Sequence, residues 1–139
     1  AKANIKPRLR MTTLYYYAQS YNYLVLGGSN KSEFTIGYFT KHGDSGVDLL
    51  PLASFVKEDI WHMAKALNIP DIIIEKPPTA GLWEGQTDEN EMGFDYFTLD
   101  KYILEQSGPS EIIEKIQGMN RRSEHKRKFP PIFVPKDKN

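Results

Sequence analysis

Several side chains in this sequence are of types that could do chemistry, and their neighbours limit what that chemistry is. Glu33 follows Gly27-Gly28-Ser29-Asn30, so it falls in the first turn of a helix that Ser29 or Asn30 can cap. A carboxylate there can hold a hard cation through oxygen, although by type alone it reads as a solvated helix glutamate. Lys57 is a point charge suited to phosphate and Thr79 offers one donor and two acceptor lone pairs. Their bland alternatives are a first-turn surface lysine and a turn-initiating threonine. Arg8, Lys41 and Lys126 can meet phosphate or carboxylate charge. Asp48 can accept from hydroxyls, and His125 can donate hydrogen bonds without full charge at neutral pH. The terminal run Arg121, Arg122, Lys126, Arg127, Lys128 leaves three readings open: a solvated basic end, a nucleic-acid patch or a ligand site.

Other chemistries are excluded. The sequence has no cysteine, so a disulfide framework, a thiolate zinc site and a cysteine nucleophile are all ruled out, and a reducing compartment is the natural home. His42 and His62 lack partners at ligand spacing. Trp61 and Trp83 read as packing and as a loop anchor.

The elements that must position these groups follow from periodicity. Leu9, Met11, Leu14, Tyr15, Ala18 and Tyr21 recur three or four apart, which predicts a helix over 8–21 with Pro7 in its first turn. The apolar run Tyr23-Leu24-Val25-Leu26 before Gly27-Gly28 predicts a buried central strand, and the helix through Glu33 follows it. Strand, glycine turn and helix form the half-unit of a parallel α/β sheet. Residues 40–48 read as a loop and Leu49–Leu52 as a short strand or extended edge. Ser54 is placed to cap a helix over 57–67, ending before Pro70. A loop spans Pro77–Gly93, long enough to be functional or disordered, and two helices follow, capped near Thr98 and Ser110. The 139 residues fit one domain, with 40% hydrophobic and 26% charged residues and zero formal net charge. Neutrality argues against bulk binding to nucleic acid or membrane, no apolar run is long enough to span a bilayer, and no signal-peptide pattern opens the chain.

Six stretches, in order, resemble one family. They are Asn4-Ile5-Lys6-Pro7-Arg8-Leu9-Arg10-Met11, Gly27-Gly28-Ser29-Asn30-Lys31-Ser32-Glu33, the block from Phe39-Thr40-Lys41-His42-Gly43-Asp44 to Asp48-Leu49-Leu50-Pro51-Leu52, Lys76-Pro77-Pro78-Thr79-Ala80, Asp88-Glu89-Asn90-Glu91-Met92-Gly93, and Ser123-Glu124-His125-Lys126-Arg127. Together they resemble the NAD synthetases, ligases of the ATP pyrophosphatase superfamily. That superfamily carries a Ser-Gly-Gly-x-Asp-Ser loop on an earlier strand. This sequence contains no such segment, so the resemblance covers the carboxy-terminal half of the catalytic domain.

The resemblance implies an α/β, parallel-sheet, Rossmann-like fold of the adenine nucleotide alpha hydrolase type. Residues 1–139 would be the carboxy-terminal part of a single domain lacking the pyrophosphate-loop half. It implies ATP-dependent amidation of deamido-NAD to NAD through an acyl-adenylate attacked by ammonia, with ATP and Mg2+ as cofactors. By motif position, Gly28, Lys57 and Thr79 would contact ATP, Glu33 would hold the metal, and Arg8, Lys41, Asp48, His125 and Lys126 would hold deamido-NAD. No protein nucleophile is expected. Gly28 departs from the family, which commonly has threonine there. A cytoplasmic homodimer is implied, and a chain incomplete for turnover alone. The Glu124-His125-Lys126-Arg127 order resembles the ammonia-using branch. Two alternatives compete: another ATP pyrophosphatase-type ligase acting on a different acid, and a non-catalytic nucleotide-binding or dimerisation remnant.

Overall fold

The structure, a computed structural model, describes residues 2–135. Helix α1 spans Ile5–Tyr21 after a short 3-10 turn at Lys2–Asn4. Pro7 sits in its first turn, where a backbone donor is not needed. Asn22, in the left-handed region at φ 57, ends the helix by donating its N–H to the Ala18 and Gln19 carbonyls. Helix α2, Lys31–Ile36, begins with a reciprocal cap. The Asn30 side chain accepts from the Glu33 N–H, and the Glu33 carboxylate accepts from the Asn30 N–H. Helices α3 (Lys57–Ala66), α4 (Asp71–Ile74), α5 (Asp88–Met92), α6 (Tyr96–Glu105) and α7 (Ser110–Ser123) follow, and a 3-10 turn at Glu124–Lys126 closes α7.

The core forms where α2, α6 and α7 meet. Ile36, Met92, Phe94, Tyr96, Leu99 and Ile116 are buried together, with Trp61, Tyr102, Ile112 and Met119 packed around them. Gly37 ends α2 at φ 68, and a Cβ there would lie 2.1 Å from the Ser123 Cβ. Glycine thus serves two purposes: it permits the left-handed backbone and lets α7 approach closely.

The helix expected over 57–67 appears as Lys57–Ala66, and the helix expected from Arg8 starts at Ile5. The two later helices form as well, but their caps differ from expectation: Asp95, not Thr98, caps α6 and accepts from the Thr98 N–H, and α7 starts at Ser110 itself after Pro109, with no side-chain cap. The strands do not appear as expected. Among the described residues the only parallel pairing is a single bridge between Leu26 and Leu49, with Gly27 N–H donating to the Leu49 carbonyl at 2.8 Å and Asp48 N–H to the Val25 carbonyl at 2.9 Å. The segment read as a buried central strand is buried only at Val25. Tyr23, Leu24 and Leu26 are 70, 70 and 61% exposed. A run apolar on both faces needs cover on both faces, and here only one side is covered. Leu49 bridges, but residues 51–54 turn away. The stripe of α1 behaves similarly: Ala18 is buried, whereas Leu9, Leu14 and Tyr21 are exposed. The loop expected over Pro77–Gly93 is ordered in its second part as α5, capped by the Thr87 hydroxyl.

Candidate functional site

Two adjoining cavities of about 370 and 310 Å3 share Glu33, Thr79 and Asp88 in their walls. The larger is also lined by Gly28 and Asp44, and the smaller by Lys57, Trp61 and Lys76. Glu33 is aimed by its capping box, which uses one carboxylate oxygen on the Asn30 N–H at 3.2 Å and the other on the Asn30 amide at 2.9 Å. The Lys57 ammonium stands 3.8 Å from Glu33 and 4.9 Å from the centre of the Tyr96 ring. Burial pushes the Glu33 carboxyl above its ordinary 4.5, against the pull of Lys57 and with help from the negative charges of Asp88 and Asp44.

Lys57 opens α3, and α3 is held from a distance. Val56, at its N-cap, has no side-chain acceptor. Asp100 of α6 instead accepts from the Glu58 N–H at 2.8 Å and from the Ser32 hydroxyl, and Ser32 in turn accepts from the Lys57 N–H at 3.1 Å. Ser32 and Asp100 are both buried. One carboxylate therefore ties the helix bearing Glu33 to the helix bearing Lys57. Sequence reasoning missed this, because Ser54 was the local capping candidate and Asp100 lies 42 residues beyond the amide it caps. Its only signal was a lone aspartate in an otherwise apolar helical stripe.

Thr79 is held by the first helix. Lys6 donates to the Leu82 carbonyl at 2.5 Å and Arg10 to the Ala80 carbonyl at 3.3 Å. Gln86 accepts from the Leu82 N–H at 2.8 Å and donates to Glu91 at 3.0 Å, and Asp88 N–H reaches back to the Pro78 carbonyl at 2.9 Å. The loop is thereby closed over the shared wall of the two cavities.

The remaining expected residues fall into a chain and an outlier. Arg8 donates to the Lys41 carbonyl at 3.3 Å, and the Lys41 ammonium donates to the His125 carbonyl at 2.7 Å. Lys126 donates to the Gly37 and Phe39 carbonyls at 2.8 and 2.7 Å, and its ammonium lies 5.3 Å from the centre of the Phe39 ring. Burial depresses the Lys126 ammonium below its ordinary value. Lys126 lines a third cavity of about 170 Å3 with Tyr38, Thr40, Asp44 and Glu91. The basic end thus folds back onto the 37–41 segment. Asp48 stands apart: its carboxylate accepts from the Tyr15 hydroxyl at 3.0 Å and the Val25 N–H at 2.8 Å, pinning α1 to the bridged segment. Among the described residues, Glu33, Lys57, Thr79 and Gly28 converge, Arg8, Lys41, His125 and Lys126 form a second group, and Asp48 lines none of the three cavities.

The arrangement has chemical sense for a polyanion beside a carboxylate. It offers a half-buried acid, a lysine and a hydroxyl lining one cavity, with no nucleophile–base pair among them. Comparison with known proteins gives the same direction. The sequence signature of the family described as NAD synthase matches residues 1–130. The chain is 58% identical to the NH(3)-dependent NAD(+) synthetase of Finegoldia magna over 96% of its length and 55% of that protein. It is 54% identical to the enzyme of the same name from Carboxydothermus hydrogenoformans, over 95% of this chain and 54% of that one. Among solved structures, an NMN synthetase from Francisella tularensis superposes with a TM-score of 0.90 at 42% identity, covering 96% of this chain and 56% of that one. An NH3-dependent NAD synthetase from Campylobacter jejuni superposes with a TM-score of 0.70 at 32% identity, over 94% and 54%. The chain spans about half the length of the curated relatives it matches.

Proposed function

The chain belongs to the NAD synthase family, and from that premise we propose that it is the carboxy-terminal part of an ATP-dependent ligase that amidates deamido-NAD to NAD. The observation that carries the reading is that Glu33 and Thr79 stand on the shared wall of two adjoining cavities, with Lys57 beside them in the smaller one. A carboxylate is a poor electrophile. One of its oxygens attacks the α-phosphorus of ATP, the bond to the β-phosphate bridging oxygen breaks, and pyrophosphate leaves. Ammonia then attacks the carbonyl carbon of the acyl-adenylate, AMP departs with the bonding electron pair, and loss of a proton leaves the amide. Catalysis is positioning and charge neutralisation, which fits a chain without cysteine.

In this reading Lys57 and the Thr79 hydroxyl hold ATP, with the Gly28 backbone alongside. Arg8, Lys41, His125 and Lys126 hold the dinucleotide, and Asp48 orients the α1 side of its site through Tyr15. The donor set fits Mg2+, which takes one or two carboxylates and leaves much of its shell to water or phosphate. Glu33 would hold it, and its charge would offset that building on the phosphate oxygens. The Leu26–Leu49 pairing supports assigning these segments to a parallel, Rossmann-like sheet. The exposed Leu9, Leu14, Tyr16, Tyr17 and Tyr21 of α1 support a homodimer. A cytoplasmic setting is proposed from the cysteine-free composition. Among the described residues no helix is long and apolar enough to cross a membrane.

A second reading has its own support: the 0.90 superposition on an NMN synthetase points to a mononucleotide carboxylate as substrate. Calorimetric titration with nicotinic acid adenine dinucleotide and nicotinic acid mononucleotide, each with Mg2+ and ATP, decides between them. The leading reading expects tighter dinucleotide binding, weakened by Arg8→Ala and Lys41→Ala. Preference for the mononucleotide favours the second, and binding of neither defeats both.

A further inference from the structure

Thr79 sits on a loop, and a loop must be held if its hydroxyl is to meet a ligand at a fixed place. Lys6 and Arg10 donate to the Leu82 and Ala80 carbonyls of that loop, but both are long, exposed side chains that give up rotamer freedom to do so. Gln86 is different. It is 7% exposed, and its side-chain oxygen accepts from the Leu82 N–H at 2.8 Å. Between Leu82 and Thr79 the turn closes on itself, with the Gly81 N–H donating to the Thr79 hydroxyl at 3.1 Å. What fixes Gln86 therefore fixes the loop.

Gln86 is fixed by a carboxylate and a phenol. Its amide donates to Glu91 Oε2 at 3.0 Å, and the Tyr38 hydroxyl donates to the same oxygen at 2.6 Å. The amide also lies 3.4 Å from the Tyr38 oxygen. Two charge-assisted bonds on one oxygen hold it more firmly than either alone. Glu91 itself is exposed, so packing does not set its position. Tyr38 is anchored. Its ring packs against the core, and its N–H donates to the Glu33 carbonyl at 2.8 Å. Burial, and then the Glu91 carboxylate, push the phenol above its ordinary 10.0, so it remains a donor. The line from core to loop thus runs Tyr38, Glu91, Gln86, Leu82, and it starts at the end of the helix that carries Glu33. Tyr38 also stands between cavities, lining the larger one with Thr79 and the third with Lys126.

We propose that Tyr38 is a positioning residue for this loop: its hydroxyl, acting through Glu91 and Gln86, holds Thr79 at a set place relative to Glu33. The inference rests on the reading of Thr79 as an ATP-holding residue and adds what sets that residue in place.

The test uses the whole chain and two readouts, hydrogen exchange at the Leu82 backbone amide and calorimetric titration with ATP and Mg2+. Tyr38→Phe keeps the packed ring and removes only the hydroxyl. It should speed Leu82 exchange and weaken ATP binding by about fivefold each, the worth of one hydrogen bond. Glu91→Ala should do the same. Glu91→Gln, whose amide oxygen still accepts from both donors, should stay within about twofold of the parent. Thr79→Ala should weaken ATP binding, and adding Tyr38→Phe should weaken it no further, because the phenol acts through Thr79. Unchanged Leu82 exchange and ATP affinity in Tyr38→Phe, with binding weakened by Thr79→Ala, overturns the proposal and leaves the Thr79 reading standing. Faster exchange with unchanged ATP affinity marks the hydroxyl as structural, and additive losses in the double variant mark it as acting elsewhere. Either result overturns the proposal as well. ATP affinity indifferent to Thr79→Ala defeats both.

Discussion

Replacing Asp100 with alanine should unfasten the two helices that carry Glu33 and Lys57. The carboxylate accepts from the Ser32 hydroxyl and the Glu58 N–H, and it is 2% exposed. Truncation leaves two donors in the interior without acceptors, each costing about 1–3 kcal/mol. Part of that is returned, because burial already disfavours the charged form and holds the Asp100 carboxyl above its ordinary value. The net loss is about 3 kcal/mol. With an m-value of roughly 1.5 kcal/mol per molar urea, the midpoint should fall by about 2 M.

The double substitution with Ser32→Ala separates this account from generic core damage. Ser32 relays the same carboxylate to the Lys57 N–H, so the two losses should fall short of additive by roughly 1 kcal/mol or more. Asp100→Asn keeps one acceptor and should lose about half as much. ATP affinity, where measurable, should drop with Asp100→Asn even though the side chain is buried beyond reach of nucleotide, because the start of α3 moves Lys57. A urea midpoint for Asp100→Ala within about 0.5 M of the parent, or strict additivity with Ser32→Ala, would refute the reasoning.

Three further outcomes follow from the geometry. A Cβ at Gly28 would meet nothing within 4 Å, whereas one at Gly37 would collide with Ser123 at φ +68. Gly28→Thr should therefore change thermal stability by less than about 0.5 kcal/mol while altering nucleotide affinity, and Gly37→Ala should cost about 2–4 kcal/mol. Lys126→Met should destabilise the ligand-free chain by about 2 kcal/mol in urea titrations, since the Gly37 and Phe39 carbonyls lose their shared donor. The Glu33 carboxyl is raised above 4.5 on folding, so the folded chain holds that proton to higher pH than the unfolded chain. Its contribution to stability is full below pH 4.5 and declines as pH rises through the folded value. Glu33→Gln should flatten that part of a melting-temperature profile. An unchanged profile would mean that the carboxyl is solvated.

The sequence reading succeeded where the cause was local and failed where it was distant. Asn30 and Glu33 are three residues apart, so their reciprocal cap could be read from residue type and spacing. The helices over 57–66 and 110–123 carry their own periodicity. Tyr23–Leu26 shows the limit of that logic. Its apolar character correctly marked an extended segment that pairs in parallel with Leu49, but burial depends on what lies on each face. Tyr23, Leu24 and Leu26 find no cover among the described residues. An apolar pattern states what a segment can bury and not whether a neighbour exists.

The same distinction governs the site. The motif positions of Glu33, Lys57 and Thr79 were legible, and each is exposed enough to meet a ligand. What sets their geometry was not legible. Asp100 fixes the start of α3 from α6, Lys6 and Arg10 hold the Thr79 loop from α1, and Tyr96 orients Asp88. Each of these contacts joins a site element to a residue on another helix, and each supporting residue looks ordinary in sequence: a helix aspartate, two surface cations, an aromatic. Placement therefore depends on side chains with no chemistry of their own at the site. Substitution there should shift binding and stability together, whereas substitution at Gly28 should separate the two. That separation can be measured variant by variant, and it distinguishes residues that meet the ligand from those that hold them in place.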